Sequence, residues 1–234
     1  MKYLYVVMMG LFFTPNFAQK KSKKDHLITI FTRYGEMKAI LYEQTPLHKT
    51  QFLKLTESHF YDSLLFHRII QGFMIQGGDP NSKRATPNAR LGSGGGELEQ
   101  IPAEFRPELF HKKGVIAAAR TNNAEKKSSA CQFYIVQGKI HDDASLDAQL
   151  KRLEGARMPT ATQREVYKTL GGAPHLDGNY TVFGEVISGL SVIDSIASQP
   201  RNAADRPLKD IQMQMKVETL KKKKITKRYG YRFD

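Results

Sequence analysis

The chain has 234 residues, of which 40% are hydrophobic and 25% are charged. These proportions are typical of one globular domain and argue against a disordered chain or a bundle of membrane helices. The net charge is +13, but residues 19–26 carry +3 and residues 221–234 carry +6, which leaves residues 27–220 with only +3 beside Lys2. Because the body of the chain is nearly neutral, the sequence does not favour a nucleic-acid-binding domain driven by charge.

The N-terminus has the pattern of a secretory signal peptide. Lys2 precedes an apolar run over residues 3–13, and Ala18 offers a cleavage site. The run is about half of the roughly 20 residues that a membrane-spanning helix needs, so a cleaved signal is favoured over a permanent anchor. We therefore predict a signal peptide over residues 1–18, a basic linker over 19–26, and an exported protein that is periplasmic or secreted.

The first predicted elements after the linker are a β-hairpin and a helix. Residues 27–32 and 36–42 alternate apolar and polar side chains on either side of Gly35, which favours two strands joined by a turn. Pro46 then opens a segment with helical periodicity, marked by Phe52, Leu55 and His59.

Short strands and one more helix are predicted in the rest of the chain. The helix covers residues 190–197, and the strands cover residues 65–70, 73–76, 114–119, 132–136, 181–186 and 211–220. Many short strands with two flanking helices argue for a closed or nearly closed antiparallel barrel. Cys131 is the only cysteine, so no intramolecular disulfide can form, and we predict that it is a small buried residue.

Three segments are predicted to depart from this pattern. Residues 139–173 read as a helical insertion, with a capping box at residues 162–165 and one helical face formed by Leu146, Leu150 and Leu153. Residues 92–96 are rich in glycine but lack the lysine of a phosphate-binding loop, so we predict a mobile surface loop. Residues 221–234 are predicted to be a solvated basic tail, a candidate for weak binding to anionic surfaces such as membrane headgroups or nucleic acid.

One segment, residues 66–79, places one arginine and two amides among apolar residues: FHRIIQGFMIQGGD. Strand alternation predicts Phe66, Arg68 and Ile70 on the same side. Taken alone, an arginine in such a place is more often a surface residue whose stem covers apolar atoms than a functional one.

This segment resembles the most diagnostic motif of the cyclophilin family of peptidyl-prolyl cis/trans isomerases. Further matches follow in the order of that family: IPAEF at 101–105, GVIAAA at 114–119, QFYI at 132–135, and LDG at 176–178 leading into VFG at 182–184. The resemblance spans a domain over residues 27–220 and is interrupted by the insertion. It implies a mainly β fold, a closed eight-stranded antiparallel barrel capped by two α-helices.

The resemblance also implies a proline-binding groove on the outer face of the barrel. It assigns the catalytic role to Arg68, a polar substrate contact to Gln76, and the walls of the proline pocket to Phe73, Met74 and Leu176. It places further substrate-binding positions at Ala119, Thr121, Gln132, Tyr134, His175 and Tyr180. Well-known members often have Trp, His and Phe where this chain has His175, Tyr180 and Tyr134.

The reaction implied by the resemblance needs no cofactor or metal, since rotation about an X-Pro amide makes and breaks no bond. Arg68 would donate a hydrogen bond to the twisted amide and so favour the transition state over the planar ground state. We expect a monomer that acts on proline-containing polypeptides during the folding of exported proteins. The alternative is a peptide-binding chaperone that uses the same groove with little or no turnover.

Overall fold

The computed structural model describes residues 22–233 except 152–156. The predicted signal peptide, the first part of the predicted linker and Leu153 of the insertion therefore lie outside the described residues. Within the described part of the chain, no helix is both long and apolar enough to cross a membrane.

The described residues contain eight strands that form one antiparallel sheet, which confirms the predicted mainly β fold. The strand order is β3-β4-β6-β5-β7-β2-β1-β8. The strands are β1 (Lys24–Thr32), β2 (Gly35–Leu41), β3 (Arg68–Ile70), β4 (Met74–Gly77), β5 (Val115–Ala118), β6 (Phe133–Val136), β7 (Val182–Ser188) and β8 (Gln214–Lys221).

Backbone hydrogen bonds outside the regular strands join the two edges of the sheet, next to β3 and β8. The amide of Phe66 donates to the carbonyl of Ile211 (2.9 Å), and the amide of Met213 donates to the carbonyl of Leu64 (2.9 Å). These bonds link the chain before β3 to the chain before β8, as a closed barrel requires. They also explain why β3 begins only at Arg68, because the residues before it pair with a different neighbour.

The sheet buries side chains on both of its faces. Phe133 and Ile135 of β6 lie in the inner core, whereas Tyr134 and Val136 lie on the opposite face. Phe66, predicted on the same side as Arg68, lies in the inner core because the regular strand starts after it. The opposite face carries the outer cluster, which consists of Tyr42, Met74, Val115, Ala117, Tyr134, Val136, Ala173, Leu176 and Val182.

Two helices flank the sheet at the predicted places. They are α1 (Pro46–Glu57) and, after the two helices of the insertion, α4 (Leu190–Ala197). Helix α1 begins with proline, whose fixed φ suits the first turn. His59, predicted on this helix, lies beyond its end at a φ of 59°. Both helices contribute apolar side chains to the inner core, including Phe52, Leu55, Val192, Ile193 and Ile196.

The predicted insertion between β6 and β7 contains two helices, α2 (Asp143–Lys151) and α3 (Ala161–Thr169). They form an apolar cluster of their own, with Leu146, Leu150 and Tyr167 buried. The capping box joins Thr160 and Gln163, not residues 162–165 as predicted, because Thr160 is the residue with the extended backbone that a cap requires.

Both basic ends of the chain are more ordered than the sequence predicts. Strand β1 already begins at Lys24, within the predicted linker, and the carboxylate of buried Asp25 lies 2.8 Å from Nζ of Lys49. The predicted solvated tail contains helix α5 (Lys222–Tyr229). Its residue Ile225 is fully buried against apolar residues of β1 and β2.

The glycine-rich loop packs onto the barrel, whereas the sequence predicts a mobile surface loop. The carboxylate of Asp79 accepts a hydrogen bond from the amide of Gly92, and Gly95 lies so close to Sγ of Cys131 that no Cβ would fit between them. Cys131 is buried as predicted, and burial raises the pKa of its thiol to about 11. Next to this loop lies His67, which is only 3% exposed. Burial lowers the pKa of His67 to about 4, against the opposing charge of Asp79.

The buried imidazole of His67 makes stability depend on pH. An unfolded histidine gains a proton near pH 6.5, whereas folded His67 stays neutral down to a pH of about 4. The unfolded state therefore binds more protons as the pH falls, and we expect His67 to remove about 2 kcal/mol from the free energy of unfolding between pH 7.5 and pH 5. Urea denaturation at both pH values measures this loss.

His67→Gln should reduce the difference between the two pH values by that amount. The matched control is His59→Gln, because the side chain of His59 is 76% exposed. An unchanged pH dependence in His67→Gln would contradict the assignment.

Candidate active site

The outer cluster gathers most of the apolar residues that the sequence assigns to a proline pocket. Met74, Tyr134 and Leu176 are 2%, 5% and 8% exposed. They come from β4, from β6 and from the 3₁₀ turn Pro174–Leu176. Partly buried residues complete the surface of this cluster, among them Phe73, Ala119 and Tyr180. The result is an apolar surface on the outside of the sheet.

Arg68 lies at the start of β3, directly opposite Gln76 of β4. Its guanidinium donates a hydrogen bond to Oε1 of Gln76 (3.4 Å), and its Nε lies 3.5 Å from Oδ2 of Asp205. The side chain is 42% exposed. Because a guanidinium has five N–H donors, these two contacts leave others available to a ligand.

A row of amides continues from Arg68 across the sheet. Nε2 of Gln76 donates to Oε1 of Gln132 (3.3 Å). Nε2 of Gln132 in turn donates to the carbonyls of Gly92 (3.1 Å) and Gly94 (2.9 Å). The glycine-rich loop therefore fixes the orientation of Gln132, and Gln132 fixes that of Gln76.

Aromatic rings form the edge of the outer cluster. The ring centroids of His175 and Phe73 are 5.2 Å apart, and burial lowers the pKa of His175. Tyr180 meets Tyr134 edge to face, with centroids 5.9 Å apart. The guanidinium of Arg120 lies over the ring of Tyr180, 4.7 Å from its centroid. Such a cation–π contact holds a positive charge beside the apolar surface.

Two of the predicted substrate-binding residues, Ala119 and Thr121, follow strand β5 in the chain. The amide of Ala119 donates to the carbonyl of Gln132 (2.9 Å), and its own carbonyl accepts from the amide of Ser129 (2.8 Å). Thr121 is exposed, and its carbonyl accepts a hydrogen bond from Arg120 (3.2 Å). Thr121 is not among the residues that pack on the outer cluster, and Arg120 contacts both Thr121 and Tyr180.

Sequence reasoning missed the residues whose side chains contact Arg68 and Tyr134 and orient them. Asp205 faces Arg68, but it lies far away in the sequence and in no recognisable motif. Nε2 of His111 lies 3.0 Å from the hydroxyl of Tyr134, and Nδ1 of His111 lies 2.8 Å from Oδ1 of Asp177. Asp177 belongs to the quoted LDG motif, so only this residue carried a signal, and it suggested no partner.

The geometry suits the binding of an apolar group beside a polarised amide. The outer cluster offers apolar surface, while Arg68 and Gln76 place hydrogen-bonding groups at its border. No cluster of His, Cys, Asp or Glu within the described residues has the arrangement of a metal site.

A sequence model of the family described as cyclophilin type peptidyl-prolyl cis-trans isomerase/CLD matches residues 27–217. The chain is 30% identical over 190 residues to the peptidyl-prolyl cis-trans isomerase CYP18-1 of Arabidopsis thaliana. This match covers 80% of this chain and 91% of that protein. It is 35% identical over 189 residues, or 79% of its length, to a Streptococcus pyogenes protein named for both a phosphatase and a peptidyl-prolyl cis-trans isomerase.

It is also 32% identical over 86% of its length to peptidyl-prolyl cis-trans isomerase-like 2 of Rhizopus delemar. The matches span only 37% of the streptococcal relative and 31% of the fungal one. Among solved structures, the chain is similar to a cyclophilin type peptidyl-prolyl cis-trans isomerase of Cryptosporidium parvum, with a TM-score of 0.60. That match covers 83% of this chain and 98% of the other, and at 24% identity it concerns the fold. By sequence and by fold, this chain belongs to the cyclophilin-type peptidyl-prolyl cis-trans isomerases.

Proposed function

We propose that the outer cluster binds the proline ring of a polypeptide and that Arg68 is the catalytic residue of the isomerase. The position of the Arg68 guanidinium carries this proposal. It stands at the border of an apolar surface, it is partly exposed, and it uses only some of its donors within the protein. In the related Cryptosporidium parvum protein, a structure was determined in the presence of the dipeptide Ala-Pro.

The reaction requires a group that interacts better with a twisted amide than with a planar one. Rotation about the X-Pro bond has a barrier of about 20 kcal/mol because conjugation between nitrogen and carbonyl is lost. At the twisted stage the prolyl nitrogen regains a basic lone pair. Arg68 would donate a hydrogen bond to it, while the apolar surface holds the ring and the carbonyl side rotates. A contact that strengthens only in the transition state accelerates the reaction.

Substitution of Arg68 tests the mechanism. We expect Arg68→Ala to lower kcat/KM for an X-Pro peptide by about a hundredfold or more, the usual effect of losing one such donor. Arg68→Lys should recover only part of the activity, because an ammonium lacks the planar fork of donors. Exchange between cis and trans peptide, measured by NMR, gives the rate, and circular dichroism checks the fold.

Arg33→Ala is the matched control, because Arg33 is exposed in the turn between β1 and β2. It should leave the rate unchanged. Peptide binding without acceleration by the wild type would favour the chaperone, and equal rates for wild type and Arg68→Ala would remove Arg68 from the catalytic role.

We further propose that the protein is exported, acts as a monomer, and assists the folding of exported proteins in a periplasm or outside the cell. The support is the charged and apolar pattern of residues 1–18. Expression of the full chain in its host followed by fractionation should place a protein that begins after Ala18 outside the cytoplasm. N-terminal sequencing of a protein that retains Met1 in the cytoplasmic fraction would refute export.

Helix α5 gives the proposed anionic-surface binding a defined site, which we assign to anionic lipid headgroups because an exported protein meets membranes. Burial of Ile225 fixes the helix on the barrel. Exposed cationic side chains then stand together on its outer side: Lys221, Lys223, Lys224, Lys227 and Arg228. Among the described residues, no acidic side chain forms an ion pair with them.

Removal of these charges should abolish vesicle binding without affecting the isomerase. Each cation near an anionic membrane contributes about 1 kcal/mol, so replacing four of them by glutamine should weaken binding by up to about a thousandfold. The variant is K223Q/K224Q/K227Q/R228Q, tested by cosedimentation with phosphatidylglycerol vesicles at low and high salt. The control is K83Q, on an exposed lysine elsewhere. Binding that survives in the fourfold variant, or binding to RNA but not to vesicles, would contradict the lipid assignment.

A further inference from the structure

The insertion leads directly into one wall of the proposed substrate groove, which consists of the outer cluster with Arg68 at its border. Its ends are joined by backbone hydrogen bonds between Lys139 and Gly172 (3.0 and 3.3 Å). The amide of Ala173 then donates to the carbonyl of His111 (2.8 Å). The next residues form the 3₁₀ turn Pro174–Leu176, which brings Leu176 into the outer cluster. The position of this wall therefore depends on where the insertion ends.

A chain of side-chain hydrogen bonds connects helix α3 of the insertion to the outer cluster. The hydroxyl of Tyr167 on α3 donates to Oδ2 of Asp177 (2.6 Å). Oδ1 of Asp177 accepts from the amide and faces Nδ1 of His111, both at 2.8 Å. Nε2 of His111 lies 3.0 Å from the hydroxyl of Tyr134. We call these four residues the Tyr167–Tyr134 chain.

The chain lies almost entirely out of contact with water. Tyr167 and His111 are 0% and 1% exposed, Tyr134 is 5% exposed, and the side chain of Asp177 is 10% exposed. Burial raises the pKa of both tyrosines, so their hydroxyls keep their protons. A buried polar group that loses its hydrogen-bond partner is costly, because water cannot easily replace the partner. Each side chain in the chain therefore constrains the position of the next one.

The partners fix the orientation of each side chain. An ionised carboxylate only accepts hydrogen bonds, so Nδ1 of His111 donates to Asp177. Nε2 on the other side of the ring faces the hydroxyl of Tyr134. The hydroxyl of Tyr134 is thereby directed toward His111, and its ring can serve as an apolar wall of the groove.

We propose that Tyr167 is a positioning residue, through which the helical insertion sets the affinity of the groove for proline-containing peptides. Tyr167 holds Asp177, which is covalently joined to Leu176 on one wall and holds Tyr134 on the other through His111. The insertion thus determines the spacing of two walls without touching the substrate. The inference rests on the groove proposed above as the substrate site.

Tyr167→Phe removes the first hydrogen bond of the chain and keeps the aromatic ring in its apolar cluster with Phe110, whose centroid is 5.4 Å away. We expect KM for an X-Pro peptide to rise by about three- to tenfold, because a hydrogen bond to a buried carboxylate is lost. The value of kcat should change by less than about twofold, because Arg68 is not part of the chain. NMR exchange at several peptide concentrations separates the two constants.

Two further variants distinguish positioning from general stability. Tyr229→Phe removes a tyrosine hydroxyl from helix α5 and should leave KM unchanged. Tyr134→Phe cuts the same chain at the groove, so the double variant Tyr134→Phe/Tyr167→Phe should raise KM by less than the product of the two single effects. Multiplicative effects on KM, or a lower melting temperature of Tyr167→Phe with unchanged KM, would overturn the proposal.

A substrate-free measurement separates this proposal from that of the groove. In Tyr167→Phe, the methyl resonances of Leu176 and the ring resonances of Tyr134 should shift, whereas those of Tyr229→Phe should match the wild type. Unshifted resonances would refute the coupling even in an active isomerase. If wild type and Arg68→Ala prove equally active, the catalytic proposal fails, while shifted resonances together with weaker peptide binding by Tyr167→Phe would still support the positioning role.

Discussion

The proposed active site depends on the antiparallel register of β3, β4 and β6. Arg68 is paired with Gln76, and Gln76 with Tyr134. Their neighbours in the same strands, such as Ile69 and Ile75, fill the inner core. A slip of one residue would exchange the two faces and bring the guanidinium into that core, where an unpaired charge is very costly. The packing of the inner core therefore positions the side chains of the proposed site on the other face of the sheet.

Segments outside the sheet complete the polar contacts of the site. Carbonyls of the glycine-rich loop hold Gln132, and Tyr134 is held by His111. Since strands use their backbone groups in pairing with each other, amide and hydroxyl side chains on the outer face need partners from elsewhere. The irregular segments supply these partners, which gives the loop and the insertion a role in ordering the site.

Much of this fold follows from local patterns in the sequence. Strand alternation and helical periodicity depend on neighbouring residues, and so helix α4 and the first hairpin lie where they are predicted. Helix α5 was missed because its many lysines hide a docking contact that depends largely on Ile225. The roles of Arg68 and the apolar wall were predicted by resemblance to a family and stay predictions, whereas Asp205 and His111 make tertiary contacts that leave no local pattern.

The neighbours of Arg68 hold its guanidinium in place and still leave it partly exposed, as the proposed catalytic role requires. Asp205 divides its carboxylate between two arginines, with Oδ2 3.5 Å from Arg68 and Oδ1 3.3 Å from Arg201. A carboxylate that accepted two parallel hydrogen bonds from one guanidinium would form a strong bidentate pair. It would then occupy N–H donors that the proposed substrate contact needs. A shared carboxylate orients Arg68 but neutralises it incompletely. In the proposed mechanism, the remaining donors respond to the lone pair that appears only when the amide twists, which is the condition for catalysis.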